Sequence, residues 1–446
     1  MGLLERSSNL HSVSHGHGHG HSHRAAKDAD DAVHVNAAPK WILLGVLGLA
    51  LVATVVGIVA WWPSHGVVTD RAALERASIS YAAPGVTFPR GTVTAITPAC
   101  PASGSTSSGS GSSGAPTCGT ITVDLGGGQH ETVSVPPEVS GSSLSEGDKV
   151  ELTRTPGSGA NPTTYAYFTI LRGGSLLWLA VLFAVVVIAV ARWRGLFAIV
   201  GLAFGGAVIW WFLLPALYDG SPGIPVALVS AAAIMFVVLY MTHGISLRTS
   251  TALAGTLLGV GLTAAIGTVT AVGANLTGIA DEAGSTLQIL RPETDFRSLL
   301  GAAVVIAGLG VLNDVTITQA SAVWELRAAT PDASRRRVFA SAMRIGRDHI
   351  ASTIYTIVFA YVGTAVIGLM LLQIYDRPLL DLVSNEQLAE EIVRTLASAI
   401  GLVLAVPVTT AVAAVLASPG HKPARPTGRR VAGRVDPQID GAVQAS

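Results

Sequence analysis

Apolar residues run in eight long blocks along the 446-residue chain, near 41–62, 175–191, 195–217, 223–242, 249–276, 298–322, 351–373 and 392–417. Each comes close to or exceeds the ~20 residues that a helix needs to cross a hydrocarbon core. The pattern predicts an α-helical polytopic membrane protein of about eight transmembrane helices, with the lipid bilayer as its partner. Trp41–Trp62 is too long for a signal h-region and follows a polar segment, 1–39, so signal cleavage is not expected. Gly45, Gly48 and Gly57 in this block, 40–62 with its flanks, suit close helix packing.

After the first block the period changes. Residues 63–174 hold short β-type runs at Gly91–Ile96, Thr120–Leu125, Glu131–Val135, Lys149–Thr153 and Tyr165–Leu171. Turn residues separate them, such as Gly126-Gly127-Gly128 and Glu146-Gly147-Asp148. Five short strands predict an inserted small all-β domain, a barrel or sandwich, with an OB-like barrel as one form. The Ser/Gly stretch 103–115 is a flexible tip. Cys100 and Cys118 flank it. Outside the cytoplasm a disulfide between them is expected, restricting the unfolded chain by on the order of 3 kcal/mol; two unpaired thiols are the alternative. His130 and Glu131 are adjacent and point to opposite faces of a strand. No nucleophile–base pair stands out, and no enzyme activity is expected.

Charge orients these elements. Basic and acidic side chains number 28 each, so the chain is neutral overall, and no nucleic-acid partner is expected. The charges are segregated by loop. Arg192 and Arg194 share one connection, Arg248 lies in another, and Arg327, Arg335, Arg336, Arg337, Arg344 and Arg347 in a third. The polar tail 419–446 adds Lys422, Arg425, Arg429, Arg430 and Arg434. These alternate with connections holding Asp219, Asp281, Glu282 and Glu386. The positive-inside rule predicts a bacterial inner-membrane protein with both termini cytoplasmic and residues 63–174 extracytoplasmic. All the tryptophans sit at or near block ends, as an interfacial belt places them.

Segment 1–39 contains HSVSHGHGHGHSH. His15, His17, His19, His21 and His23 offer imidazoles to a divalent metal such as Zn²⁺, Ni²⁺ or Cu²⁺. A solvated low-complexity tail with incidental metal affinity explains the tract equally well. The Gly alternation fixes no geometry, and no other cofactor is expected.

The sixth block is unlike the rest. Ser298–Arg327 carries Asn313, Asp314, Thr316, Thr318, Gln319 and Ser321 without leaving helical register. Gly310, Asp314, Thr318, Ser321 and Glu325 fall on one helical face, with Asn313 and Gln319 off it. A carboxylate deep in a membrane helix costs at least ~2.5 kcal/mol and faces protein or a watery cavity. Other helices are therefore expected around this segment. Asn313, Asp314, Thr318, Gln319 and Ser321 form the candidate ion or substrate site, with H⁺ or Na⁺ as the simplest ligand. The alternative is that Asp314 only holds helices together. The connection 326–350 predicts an amphipathic helix over Ser334–His349 with Val338, Ala342 and Ile345 on one face. Within the hairpin, Arg347 and Asp348 are candidates to clasp Glu325. Pro407 is a candidate helix break in the last block.

The stretches LRGGSL at 171–176, GISLRTSTALAGTLLG at 244–259, GLGVLNDVTITQASAVWEL at 308–326, IGRDHIASTIYTIVFAYVG at 345–363 and EIVRTLASAIGLVLAVP at 391–407 resemble the YibE/F family of bacterial multipass membrane proteins. With the β-rich preamble the resemblance covers roughly 85–418. It implies a seven-helix membrane domain over 175–418. It transfers no catalytic residue. Two functions remain open. One is ion-coupled transport of an unidentified solute. The other is an envelope protein whose β domain binds an extracytoplasmic protein or cell-wall partner.

Overall fold

The computed structural model describes residues 33, 35–63, 85–98, 119–136, 139–157, 162–374 and 384–417. The His tract, the Ser/Gly stretch, Cys100, Cys118 and the tail 419–446 lie outside them. The chain is mostly helical. Among the described residues, eight helices are long and apolar enough to cross a membrane: α1 (Ala37–Ala60), α2 (Gly173–Ala191), α3 (Trp193–Tyr218), α4 (Gly223–His243), α5 (Leu247–Gly273), α7 (Phe296–Ala329), α8 (Arg335–Ile374) and α9 (Glu386–Leu416). A short α6 (Glu282–Leu290) lies between α5 and α7. Side chains define several starts. Ser246, Asp295 and Asn385 accept the backbone N–H groups of Thr249, Ser298 and Gln387, satisfying donors that a helix start leaves open.

The chain divides into two compact units. The smaller holds the sheet, α2, α3 and α6. Its strands are β1 (Arg90–Thr97), β2 (Thr120–Asp124), β3 (His130–Ser134), β4 (Lys149–Thr155) and β5 (Thr164–Ile170), within two residues of the positions that alternation predicts. They form one antiparallel sheet in the order β3-β2-β1-β4-β5. Val93, Ile121, Val123, Val133, Val150 and Leu152 point to one buried core. Gly91 packs so tightly on Val123 and the Asp124 carbonyl that a Cβ there would overlap both. No residue of α2 is buried, and it is apolar all round. Such a surface suits hydrocarbon rather than water.

The larger unit contains α1, α4, α5, α7, α8 and α9. Its centre is the trio α5, α7 and α9, with α4 and α8 against α7. Glycines let these helices approach closely. Gly255 lies against Thr409, and Gly401 against Thr263, with no room for a side chain at either glycine. Val35 bridges to Ala417, and the Asn36 amide donates to the Val415 carbonyl at 3.1 Å. The start of α1 therefore sits beside the end of α9.

Three local expectations are corrected here. The amphipathic segment and the seventh block are one unbroken 40-residue helix, α8. Val338, Ala342, Gly346, Thr353 and Ile357 form its buried seam, and Ile345 points outward. Steps of four and seven residues, one and two helical turns, carry that seam across the supposed boundary, so nothing stops the helix. Trp324 is 1% exposed and belongs to the core rather than to an interfacial belt. Arg327 is buried in the last turn of α7 rather than exposed in a loop, and its Nη1 donates to the Ala333 carbonyl at 2.6 Å, closing the turn into α8.

Candidate functional site

Helix α7 has 34 residues and spans about 51 Å at 1.5 Å per residue. Asp314 is near its middle. One face of the helix is buried through Leu312, Val315, Thr316, Gln319, Ala320 and Val323. The polar members of that face are neutral and meet neutral partners. Thr316 Oγ1 lies 2.6 Å from Thr256 Oγ1 of α5, both fully buried. Gln319 Oε1 accepts from Thr410 Oγ1 of α9 at 3.0 Å. Gly346 of α8 comes up to the same amide, where a Cβ would lie 2.9 Å from Nε2.

The Gln319 amide is only half satisfied. The Thr410 hydroxyl carries one hydrogen but has two acceptors, Gln319 Oε1 and the Val406 carbonyl at 2.7 Å. Turning the amide over would let Nε2 donate to Thr410 while Thr410 donates to Val406. In either orientation one end of a fully buried amide has no partner. Asn313 Oδ1 is also buried and unpartnered.

Asp314 lies on the other side of the helix. Its side chain is 70% exposed, and its neighbour is His349 of α8, with Nε2 3.6 Å from Oδ2. That separation is within ion-pair range but beyond a hydrogen bond. Thr318 Oγ1 donates to the Asp314 backbone carbonyl at 2.7 Å, leaving the carboxylate uncapped. Gly310 and Glu325 are exposed, and Thr318 and Ser321 half-buried. The expected enclosure of this stripe by other helices is thus not met within one chain. Among the described residues, His349 of α8 is the side chain that comes up beside Asp314.

The remaining residues fall as follows. Glu325, Arg347 and Asp348 are exposed, and across the hairpin the Asp314 carboxyl and the His349 imidazole approach to 3.6 Å. α9 stays helical through Pro407. The Thr409 and Thr410 hydroxyls donate to the Ala405 and Val406 carbonyls one turn earlier. The cysteines and the five histidines of the N-terminal tract lie outside the described residues. Sequence reasoning missed His349 as a partner of Asp314, and it missed Glu390, which is buried near the start of α9 with Oε1 unpartnered.

Comparison with known families decides the chain's relationship. The YibE/F-like protein family matches residues 179–419, more than half of the chain. The chain belongs to this family. The match runs from within α2 through α9, so it contains Asp314, Gln319, His349 and Glu390, while the sheet precedes it. No curated protein and no solved structure matches the chain. Family and apolar helices together make this a multipass membrane protein.

Proposed function

We propose that this YibE/F-like chain is an ion-coupled transporter of an unidentified solute in a bacterial inner membrane, with Asp314 as the site where H⁺ or Na⁺ binds. The observation that carries this reading is the Asp314–His349 pair, set halfway along a spanning helix and joining α7 to α8. A carboxylate at that depth costs about 2.5–3.5 kcal/mol unless it is protonated, paired or in a watery cavity. One carboxylate and one imidazole suffice to bind and relay a proton. The unpartnered Asn313 Oδ1 adds a polar atom next to Asp314 in the sequence of α7. Both termini belong in the cytoplasm in this reading. The Val35–Ala417 bridge supports a common side for them, and the arginine-rich α7–α8 hairpin supports the cytoplasmic one. No enzymatic step is assigned to the chain.

The test is flux. Proteoliposomes with the wild-type protein take up or release H⁺ or Na⁺ down an imposed gradient, and Asp314→Asn abolishes this while remaining folded. Absence of gradient-driven flux in folded wild-type protein, across a solute screen, would remove the reading.

A second reading keeps the protein as an envelope component whose β domain binds a partner. The strand order favours it. A sheet ordered β3-β2-β1-β4-β5, with β3 near β5 and a single helical turn Val139–Ser143 between β3 and β4, supports the reading of this domain as an OB-like barrel. Such barrels bind ligands beside the β1–β2 and β4–β5 loops. Deleting residues 103–115 from the β1–β2 connection would abolish partner capture in this reading and leave ion flux unchanged in the first.

A further inference from the structure

A carboxyl at the far end of α9 has an environment of its own. Glu390 is 7% exposed, and its Oε1 has no hydrogen-bond partner. The Gly278 backbone N–H is the polar group that reaches its carboxyl from the α5–α7 connection. Gly278 has φ +86°, and a Cβ there would overlap the Phe296 carbonyl, so this close turn requires glycine.

The charges around Glu390 are mostly of its own sign. Glu386 lies one turn earlier on α9, and Asp281 approaches from the connection. Glu386 Oε1 already accepts the Thr277 backbone N–H at 2.6 Å and the Thr277 hydroxyl. The nearby cation is Arg394, but its Nη1 donates to Glu391 Oε2 at 2.7 Å. Arg297, at the start of α7, donates instead to the Leu276 carbonyl at 2.9 Å. From α8 the titratable neighbour is Tyr361, beside Glu391 and Arg394. Glu390 therefore has the carboxyls of Glu386 and Asp281 beside it, while the Arg394 guanidinium bonds Glu391.

A buried carboxylate with an unpartnered oxygen and like charges beside it is costly, and taking up a cation relieves it. Among the described residues no group of three or more His, Cys, Asp or Glu is placed to hold a metal ion. A proton needs only the one open oxygen. We propose that Glu390 is a proton-binding site at the end of the bundle opposite the Val35–Ala417 bridge, taking its proton from water and returning it there as pH rises. Two turns further along α9, Ser398 Oγ lies beside Gly308 and Thr263, and both Ser398 Oγ and Thr263 Oγ1 are buried without partners. These hydroxyls continue the polar line inward from Glu390. The proposal goes beyond the Asp314 reading and stands or falls without any flux.

The test is an infrared pH titration of the full-length protein in lipid nanodiscs, following the band of protonated carboxyl groups. Wild-type protein shows a protonated-carboxyl component that disappears as pH is raised. Glu390→Gln, which keeps shape and neutrality, loses that component at unchanged thermal stability. Glu386→Gln and Asp281→Asn remove neighbouring negative charge, so the component disappears at lower pH than in wild type. These two variants decide the matter even where Glu390→Gln fails to fold. A component that survives Glu390→Gln, or one whose midpoint ignores both neighbours, overturns the proposal. So does a wild-type spectrum with no titrating component.

Discussion

The two sides of α7 handle polarity differently. On the packed side, Thr316 and Gln319 are fully buried, uncharged, and bonded to Thr256 and Thr410 of neighbouring helices. On the other side, Asp314 is ionisable and largely exposed, with the His349 imidazole 3.6 Å away. Neutral hydroxyls and amides can be sealed between helices because one hydrogen bond compensates most of their desolvation. A carboxylate sealed the same way would need several donors or a full counter-charge. The packed side reads as assembly and the open side as chemistry. That contrast can be broken experimentally from either side.

The largest effect is expected where helices touch without side chains. Gly255→Val would drive a branched side chain into Thr409, and Gly401→Val one into Thr263. Each should destabilise the bundle by about 3 kcal/mol or prevent its assembly, since overpacking costs ~1–3 kcal/mol and these contacts have no slack. Thermal unfolding in detergent, followed by the intrinsic fluorescence of the buried Trp324, reads it out. An unchanged unfolding temperature would mean that the trio packs otherwise.

The hydroxyl pair should matter less. Thr256→Val and Thr316→Val each remove one partner of a 2.6 Å contact. Interhelical hydrogen bonds of this kind are worth about 0.6 kcal/mol in membrane proteins. The double variant should therefore be less destabilised than the sum of the singles, because the second substitution removes a group already stranded by the first. Strict additivity would argue against the contact.

The smallest stability effect belongs to the open side. An exposed ion pair contributes about 0–1 kcal/mol, so Asp314→Asn and His349→Gln should leave the unfolding temperature nearly unchanged. A large loss of stability in either would transfer Asp314 to the structural side of the contrast.

Much of this architecture is legible in the chain. Period-two runs place all five strands, and hydropathy places eight helices, although α8 starts sixteen residues before the block that announces it. The sixth block announces itself through Asp314 and Gln319. Pairings are harder, because a partner depends on the rotation of two helices that sequence periodicity leaves free. Arg347 and Asp348 look as available to the hairpin as His349, yet the seam through Val338, Ala342 and Gly346 turns them outward and brings His349 toward Asp314. The same geometry separates Gln319 from Asp314, five residues apart and on opposite sides. Glu390 was hidden for another reason. It stands in an acidic cluster at a block end, where exposure is the ordinary outcome, and only the fold of the α5–α7 connection over it removes it from water.

The most direct measurement compares Asp314→Asn with Gln319→Met in one set of proteoliposomes, recording H⁺ and Na⁺ flux and thermal stability for both. Asp314→Asn should lose flux with its stability intact, whereas Gln319→Met should keep flux and shift stability by no more than about 1 kcal/mol, the scale of one hydrogen bond. Flux that persists in Asp314→Asn would contradict the account, and so would loss of flux in parallel with loss of folding.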